Sequence, residues 1–320
     1  MLRIVRDAYL ALLVATLLAA LVGQIVADRA FALMPLMYLP APLIAVVAMA
    51  TDAVRRGRTL RGPRFSLSAM AVASLALALP ATYGIGRLEP NESGRPPIRL
   101  LQWNVMWGGA WDGSGNWRIF DEAVLPAGAD VIVISEAPHD EQRTEWLRGR
   151  LGPEWQMARF DHIDAGYLCR MRVLSHWPVR KLYERPIAGG SFAVFEVDAD
   201  GGPIRLAAVD GMSDLLDKRP LLNAIADALA ADPKIELACG DFNATSRGEA
   251  FGRFWQMGFR DAGGRGYGLR STWPAPMPLF DIDHVLVRRS LAIVGVSSFG
   301  TPATDHRARV VELAHRKPSP

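Results

Sequence analysis

Cys239-Gly240-Asp241-Phe242-Asn243, Asp281-Ile282-Asp283-His284-Val285-Leu286-Val287 and Thr304-Asp305-His306 are the stretches on which the reading of this chain turns. Each sets carboxylate or carboxamide side chains at the mouth of an apolar, strand-like run. Asp241 and Asn243 stand at i and i+2, the spacing that shares one face of a strand. Side chains at strand ends converge on the crevice above a sheet. One such segment is an ordinary polar turn; three in one chain imply a site.

Two stretches upstream extend the pattern. Arg99-Leu100-Leu101-Gln102-Trp103-Asn104-Val105 is an apolar strand ending in a carboxamide. Ala129-Asp130-Val131-Ile132-Val133-Ile134-Ser135-Glu136 is a buried strand ending in a carboxylate. A glutamate in that position is costly to bury unless it is paired or bound to a metal. Oxygen-rich clusters of this kind suit a hard divalent cation such as Mg2+, and with it phosphoester chemistry.

Outward from these segments, strand and helix patterns alternate. Strands are expected near 98–104, 130–135, 167–174, 191–197, 204–209, 235–239 and 281–287. Helices are expected near 117–126, 141–151, 218–231 and 247–257, with Pro220 suited to a first turn. The order implies one compact α/β domain over residues 98–314. The chain after 314 reads as a frayed tail. Residues 84–97 are rich in Gly, Pro and Ser without periodicity and read as a linker.

The first 83 residues differ. Three apolar runs, about Ala8–Ala27, Ala30–Ala50 and Phe65–Tyr83, each approach the ~20 residues that cross a bilayer as a helix. A cleaved leader would not account for the second and third. Arg3 and Arg6 precede the first run, and Arg55, Arg56, Arg58, Arg61 and Arg64 face Asp52 alone between the second and third. Positive loops stay cytoplasmic, so the expectation is a multi-pass inner-membrane protein with its large domain outside the cytoplasm. The whole chain has 36 Lys and Arg against 33 Asp and Glu. Residues 98–320 alone have 26 against 28 and are about neutral. A protein that tracks nucleic-acid phosphates shows a basic stripe, so nucleic acid is not favoured as the partner. Cys169 and Cys239 sit in apolar runs and read as small buried residues, not a disulfide.

In this order the segments resemble the endonuclease/exonuclease/phosphatase superfamily, over about residues 98–314. The resemblance implies a two-sheet α/β sandwich, here preceded by about three transmembrane helices. It also implies hydrolysis of a phosphomonoester or phosphodiester with Mg2+ or Mn2+. Asn104 falls at the family's first-strand asparagine, Glu136 at its metal-binding glutamate and Gly240-Asp241-Phe242-Asn243 at its glycine-aspartate-x-asparagine. Asp283 lies in its isoleucine-aspartate strand, and Asp305-His306 at its terminal aspartate-histidine. On that basis Asn104, Glu136 and Asp305 are expected to hold the metal. Asp241 would orient or deprotonate water, and Asn243 would bond the developing charge. His306 would act beside the phosphate, oriented by Asp283.

The chain departs from the family twice. A histidine usually ends a mid-domain strand where this chain has Asp210, and a serine-arginine pair stands where it has Ser175-His176; both changes are expected to remove a phosphate contact. His139, His162 and His176 read as surface or satisfied residues, His284 as facing away from the site, and Trp103, Trp107, Trp111 and Trp117 as packing. Asp112–Asn116 reads as a turn. Two other readings remain open from sequence: a non-catalytic relative that binds a ligand or partner, and an extracellular nuclease. The resemblance implies a phosphoester substrate and leaves open a lipid phosphodiester, an inositol phosphate, a nucleotide or a nucleic acid.

Overall fold

The structure, a computed structural model, describes residues 1–56, 66–109, 123–138, 141–164, 167–213 and 217–316. The turn at Asp112–Asn116, Trp111, Trp117, His139, most of the helix expected at 117–126 and Arg58, Arg61 and Arg64 lie outside the described residues. Packing divides the chain into a helical unit built on Met1–Thr82 and a larger unit built on Tyr83–Ser246 and Ala250–Pro320.

The helical unit holds α1 (Leu2–Val26), a 3-10 segment (Phe31–Tyr38), α2 (Ala41–Arg56) and α3 (Ser66–Thr82). Its helices meet through small residues, among them Ala20, Ala41, Ala45, Ala48, Ala71 and Ala78. Larger apolar side chains such as Leu12, Leu18, Val46 and Val72 point outward. Asp52 is buried and accepts hydrogen bonds from the Ser68 amide (2.8 Å) and hydroxyl (2.9 Å), capping the first turn of α3. The expectation of about three spans is corrected here. Among the described residues, only Arg3–Val26 is long and apolar enough to cross a bilayer unbroken. The second run bends by 66° between Tyr38 and Ala41, and the third leaves an apolar helix of only Leu67–Thr82. Proline explains the break, because Pro40 has no amide hydrogen to continue a helix.

The larger unit is a sandwich of two six-stranded mixed sheets. One sheet has the order β10-β12-β9-β8-β7-β6: β6 (Val179–Ile187), β7 (Gly190–Ala199), β8 (Gly202–Gly211), β9 (Ile235–Asp241), β10 (Phe259–Asp261) and β12 (Asp283–Arg288). The other has the order β13-β14-β2-β3-β5-β4: β2 (Ile98–Asn104), β3 (Val131–Ser135), β4 (Gln156–Asp164), β5 (Tyr167–Ser175), β13 (Leu291–Phe299) and β14 (Ala308–His315). β2 and β3 run parallel at the centre of one sheet, and β8 and β9 at the centre of the other. Alternation along each strand builds three layers of core. Ile98, Leu100, Val133, Phe195, Leu206, Cys239 and Val285 face the other sheet. Trp103, Ile132 and Ile134 pack outward with Leu147 of α4 (Glu141–Leu151). Phe192, Val194, Phe242 and Leu286 pack outward under α5 (Arg219–Ala231). Each large side chain so buried stabilises the fold by roughly 1.5–3 kcal/mol. Both cysteines are buried and neither forms a disulfide, and burial pushes the Cys239 thiol up to about 12.

The helix expected at 247–257 is instead a 3-10 turn (Glu249–Phe251) followed by a short helix (Gly252–Gln256). β4, β6, β10, β13 and β14 had not been expected as strands.

Residues 84–97 are not a free linker. Tyr83–Gly84 (β1) pairs with Gly268–Leu269 (β11) as a small antiparallel ribbon. Beyond it, Glu89 donates its amide to the Ile293 carbonyl (2.8 Å) and pairs with Arg260 and Arg316, and Arg95 reaches the Asp200 carbonyl (2.7 Å). Arg316 is thereby tied down and not frayed; 317–320 lie outside the described residues.

Candidate active site

The inward faces of the central strands are apolar until the strands reach one end of the sandwich, and there they turn polar. On β2, Ile98 and Leu100 give way to Gln102 and Asn104; on β3, Val131 and Val133 to Ser135; on β8, Leu206 and Ala208 to Asp210; on β9, Leu237 and Cys239 to Asp241. β12 and β14 run the opposite way, so their polar residues, Asp283 and Arg309, stand at the strand starts. All seven side chains at this end are at most 3% exposed. Buried polar groups at this density need partners.

Those partners join both sheets. Asn104 donates from Nδ2 to Glu136 Oε1 (2.9 Å) and to Asp241 Oδ2 (3.0 Å), while its Oδ1 accepts from the Met106 amide (2.9 Å). Asp241 accepts from the Asn243 amide (2.8 Å), and Asn243 Nδ2 donates to the Gly211 carbonyl (2.8 Å). His306 Nδ1 lies 2.8 Å from Asp283 Oδ2, and its Nε2 lies 3.8 Å from both Asp241 and Asp305. All seven residues singled out in the sequence, Asn104, Glu136, Asp241, Asn243, Asp283, Asp305 and His306, therefore form one connected set.

The supporting contacts were not legible beforehand. Gln102 Nε2 donates to Asp283 (3.3 Å), and the Thr272 hydroxyl accepts from the Asp283 amide (3.2 Å). Trp273 Nε1 holds Asp305 Oδ2 at 2.9 Å. Asp305 and His306 sit in the loop before β14, where the Trp103 indole donates to the His306 carbonyl (3.1 Å) and Thr304 Oγ1 to the Asn104 carbonyl (3.1 Å). For Gln102 the signal was its place two residues before Asn104 on the same face; for Thr272 and Trp273 no local pattern marks the role.

The backbone is strained here. Asn243 was expected on a strand face with Asp241, but β9 ends at Asp241 and Asn243 takes φ 46°. Glu136 (48°), Met106 (45°) and Trp107 (57°) share this left-handed region. It costs a non-glycine residue roughly 1–2 kcal/mol, and such strain concentrates at functional sites. Gly240 at φ 143° admits no side chain, since a Cβ would meet the Val209 carbonyl oxygen at 1.9 Å.

Burial is the largest cause raising the Glu136 pKa, helped by the charges of Asp305 and Asp283 and opposed by Asn104 and His306. Burial, then the Asp283 charge, also holds Asp241 above the ordinary carboxylate range, with His306 pulling it back. For Asp283 burial acts upward too, but the His306 charge and hydrogen bond outweigh it, and the pKa is lowered. His306 is the complement: burial acts downward, yet Asp283 and Asp241 raise its pKa above the ordinary range. Four carboxylates thus converge with one imidazole in contact. Arg309 reaches the main-chain oxygen of Asp283 (3.2 Å), not its carboxylate. This excess of buried oxygen donors fits a divalent cation.

Other residues fall outside the set. His284 faces away from it, as alternation requires, with Nε2 2.8 Å from the Ala244 carbonyl and Nδ1 3.3 Å from Asp261. Asp261, Asp281 and His284 form a second acidic group, but Arg270 lies 2.7 Å from Asp261 and 3.2 Å from Asp281 and already supplies the positive charge. His162 stacks on Phe160. His176 was expected to mark a lost phosphate contact. It follows Ser175, which pairs with Val131 at the far end of β3 from Glu136, and it lies beside Asp130 (3.7 Å), Trp155 and Trp177. Its identity does not bear on the site. Asp210 does face the crevice, in register with Asp241.

A two-sheet α/β sandwich with acidic residues and one histidine gathered at the strand ends defines a class of phosphoester hydrolase. The chain belongs to the endonuclease/exonuclease/phosphatase family, whose pattern residues 101–306 match. Its fold is similar to a family protein from Bacteroides thetaiotaomicron, with 13% identity, TM-score 0.54, and 70% of this chain and 100% of that one covered. It is similar to one from Beutenbergia cavernae DSM 12333, with 16%, 0.53, and 69% and 72% covered. It is also similar to the catalytic domain of human Nocturnin, solved with a bound sulfate anion, with 17%, 0.52, and 69% and 96% covered. At these identities the likeness is one of fold. No curated protein matches the chain.

Proposed function

We propose that this chain is a membrane-anchored, divalent-metal-dependent phosphoesterase that hydrolyses a phosphomonoester or phosphodiester outside the cytoplasm. The observation that carries the reading is the convergence of buried Asp241 and Asp283 and half-buried Glu136 and Asp305 around His306 in one connected set. Glu136, Asp305 and Asn104 would hold the divalent cation, Mg2+ or Mn2+, which would supply charge neutralisation at the phosphoryl oxygens. Asp241, kept basic by burial, takes a proton from the attacking water. Asn243 has one Nδ2 hydrogen engaged with Gly211 and offers the second to a phosphoryl oxygen. His306, charged and fixed through Nδ1 by Asp283, presents Nε2 to the developing charge.

The membrane part of the proposal rests on α1 and on the helical unit, where alanines together with Leu13, Leu17 and Leu67 pack inside while Leu12, Leu18, Val46 and Val72 stay exposed, an apolar exterior that suits lipid better than water. The arginines between the second and third apolar runs place that loop in the cytoplasm and the catalytic domain on the other side.

The test uses the full chain in detergent with p-nitrophenyl phosphate and bis(p-nitrophenyl) phosphate, each with Mg2+, with Mn2+ and with EDTA. Hydrolysis should stop with EDTA. Glu136→Gln should keep the fold and lose about 10²–10³-fold in rate, in the range of lost charge stabilisation. Activity indifferent to EDTA, or no divalent ion bound in calorimetry, would remove the basis of the proposal. For topology, a reporter active only outside the cytoplasm, fused after Pro320, should be active.

A further inference from the structure

The ribbon β1–β11 has two unlike faces. One lies on the domain through glycine: a Cβ on Gly84 would meet the Gly263 carbonyl oxygen at 2.7 Å, and one on Gly86 the Gly264 carbonyl oxygen at 2.6 Å. The other carries large apolar side chains. Tyr83 pairs directly with Leu269, so the two share a face; Ile85 stands two residues after Tyr83 and Tyr267 two before Leu269. Their exposures are 38% for Tyr83, 45% for Leu269, 57% for Ile85 and 84% for Tyr267. Four exposed residues of this type on one small ribbon are unusual on a surface facing only water.

From this we infer that the outer face of the ribbon is a membrane-docking surface that rests in the interfacial layer of a lipid bilayer. Two observations select lipid as the occupant. Tyr83 is the next residue in the chain after Thr82, the last of the apolar helix α3, so the ribbon begins one residue past an apolar helix. The only exposed or half-exposed charges among Tyr83–Leu88 and Ala262–Leu269 are Arg87 and Arg265, with no acid in either stretch. Tyrosine among apolar side chains is the composition that either membrane–water interface favours, and no carboxylate here opposes it. The inference rests on the helical unit being in the membrane. Its own consequence is that the strand leading to Thr272 and Trp273, which hold Asp283 and Asp305, is anchored at headgroup height.

The native cysteines are buried, so single cysteines introduced at exposed positions take a nitroxide label selectively. Full-length Ile85→Cys, Tyr267→Cys, Leu18→Cys and Glu184→Cys, labelled in nanodiscs of equal parts phosphatidylglycerol and phosphatidylcholine, would be compared by oxygen and nickel-chelate accessibility. Leu18 is an exposed residue of α1, and Glu184 an exposed residue of β6. The expected result is preferential oxygen access at 85 and 267, as at 18, and preferential nickel access at 184. Nickel access at 85 and 267 with oxygen access at 18 would overturn the docking inference and leave the membrane reading standing. Nickel access at 18 as well would overturn both. Labels at 85 and 267 shielded from both reagents would show a protein contact there and equally refute a lipid surface.

Discussion

Removing His306 should do more than delete one group, because it leaves two carboxylates facing each other. Asp241 and Asp283 are register partners on β9 and β12, and His306 lies between them, 2.8 Å from one and 3.8 Å from the other. Register-paired residues in an antiparallel ladder are about 5 Å apart. Two unit charges at about 5 Å with an effective dielectric of about 20 repel by about 3 kcal/mol. That is roughly 2 pH units of added resistance to losing the second proton. The sign follows from the site: His306 lowers the pKa of Asp241, so its loss sends Asp241 further above the ordinary carboxylate range. If Asp241 is the base, the rising acid limb of the kcat/KM profile in His306→Ala should move up by about two pH units. The rate at pH 7 should fall about 10²–10⁴-fold, the usual scale for acid–base groups. Asp283→Ala, His306→Ala should remove the repulsion, return the limb toward wild type and be no slower than His306→Ala alone. The assay is a pH series on bis(p-nitrophenyl) phosphate at saturating Mg2+. An unmoved limb in His306→Ala, or a double variant whose loss is the product of the two single losses, would refute the reasoning.

The contacts of residues 83–97 make the choice of fragment matter: a protein starting at Tyr83 should unfold at higher urea than one starting at Ile98, and Glu89→Ala should lose much of the difference, since it frees Arg260 and Arg316. Equal midpoints would make that segment dispensable. Asp261 is buried, which acts to raise its pKa, but Arg270, His284 and Arg309 outweigh burial and depress it. Its stabilising contribution is therefore present above the ordinary carboxylate pKa of about 3.9 and lost as pH falls below it. Denaturation midpoints between pH 7 and 3 should fall at the acid end and flatten in Asp261→Asn, which should itself cost about 3–5 kcal/mol by leaving buried cations underpaired. Asp210→His, in register with Asp241, should shift the acid limb downward and raise turnover on the diester; no change in either would show that Asp210 acts only as a strand terminator.

Much of the candidate site was legible in sequence because the information is local. The switch from apolar to polar on the inward face of β2, β3 and β9 is written in residues two apart. The turning away of His284 follows from the same alternation, and the near-neutral charge of the larger domain follows from counting. Tertiary structure decided the rest. The His306–Asp283 contact joins a loop to a strand of the opposite sheet, and Asn104 reaches Asp241 from 137 residues away. His176 was misplaced because the end of a strand that faces the crevice depends on pairing direction; β5 runs antiparallel to β3, so its C-terminal residues lie at the far end. Residues 84–97 looked like a linker because glycines that fit flush against a backbone have the same composition as glycines that are free. The three apolar runs looked alike because hydropathy is summed over a window, whereas a proline at one peptide unit decides whether the hydrogen-bonded ladder of a spanning helix continues.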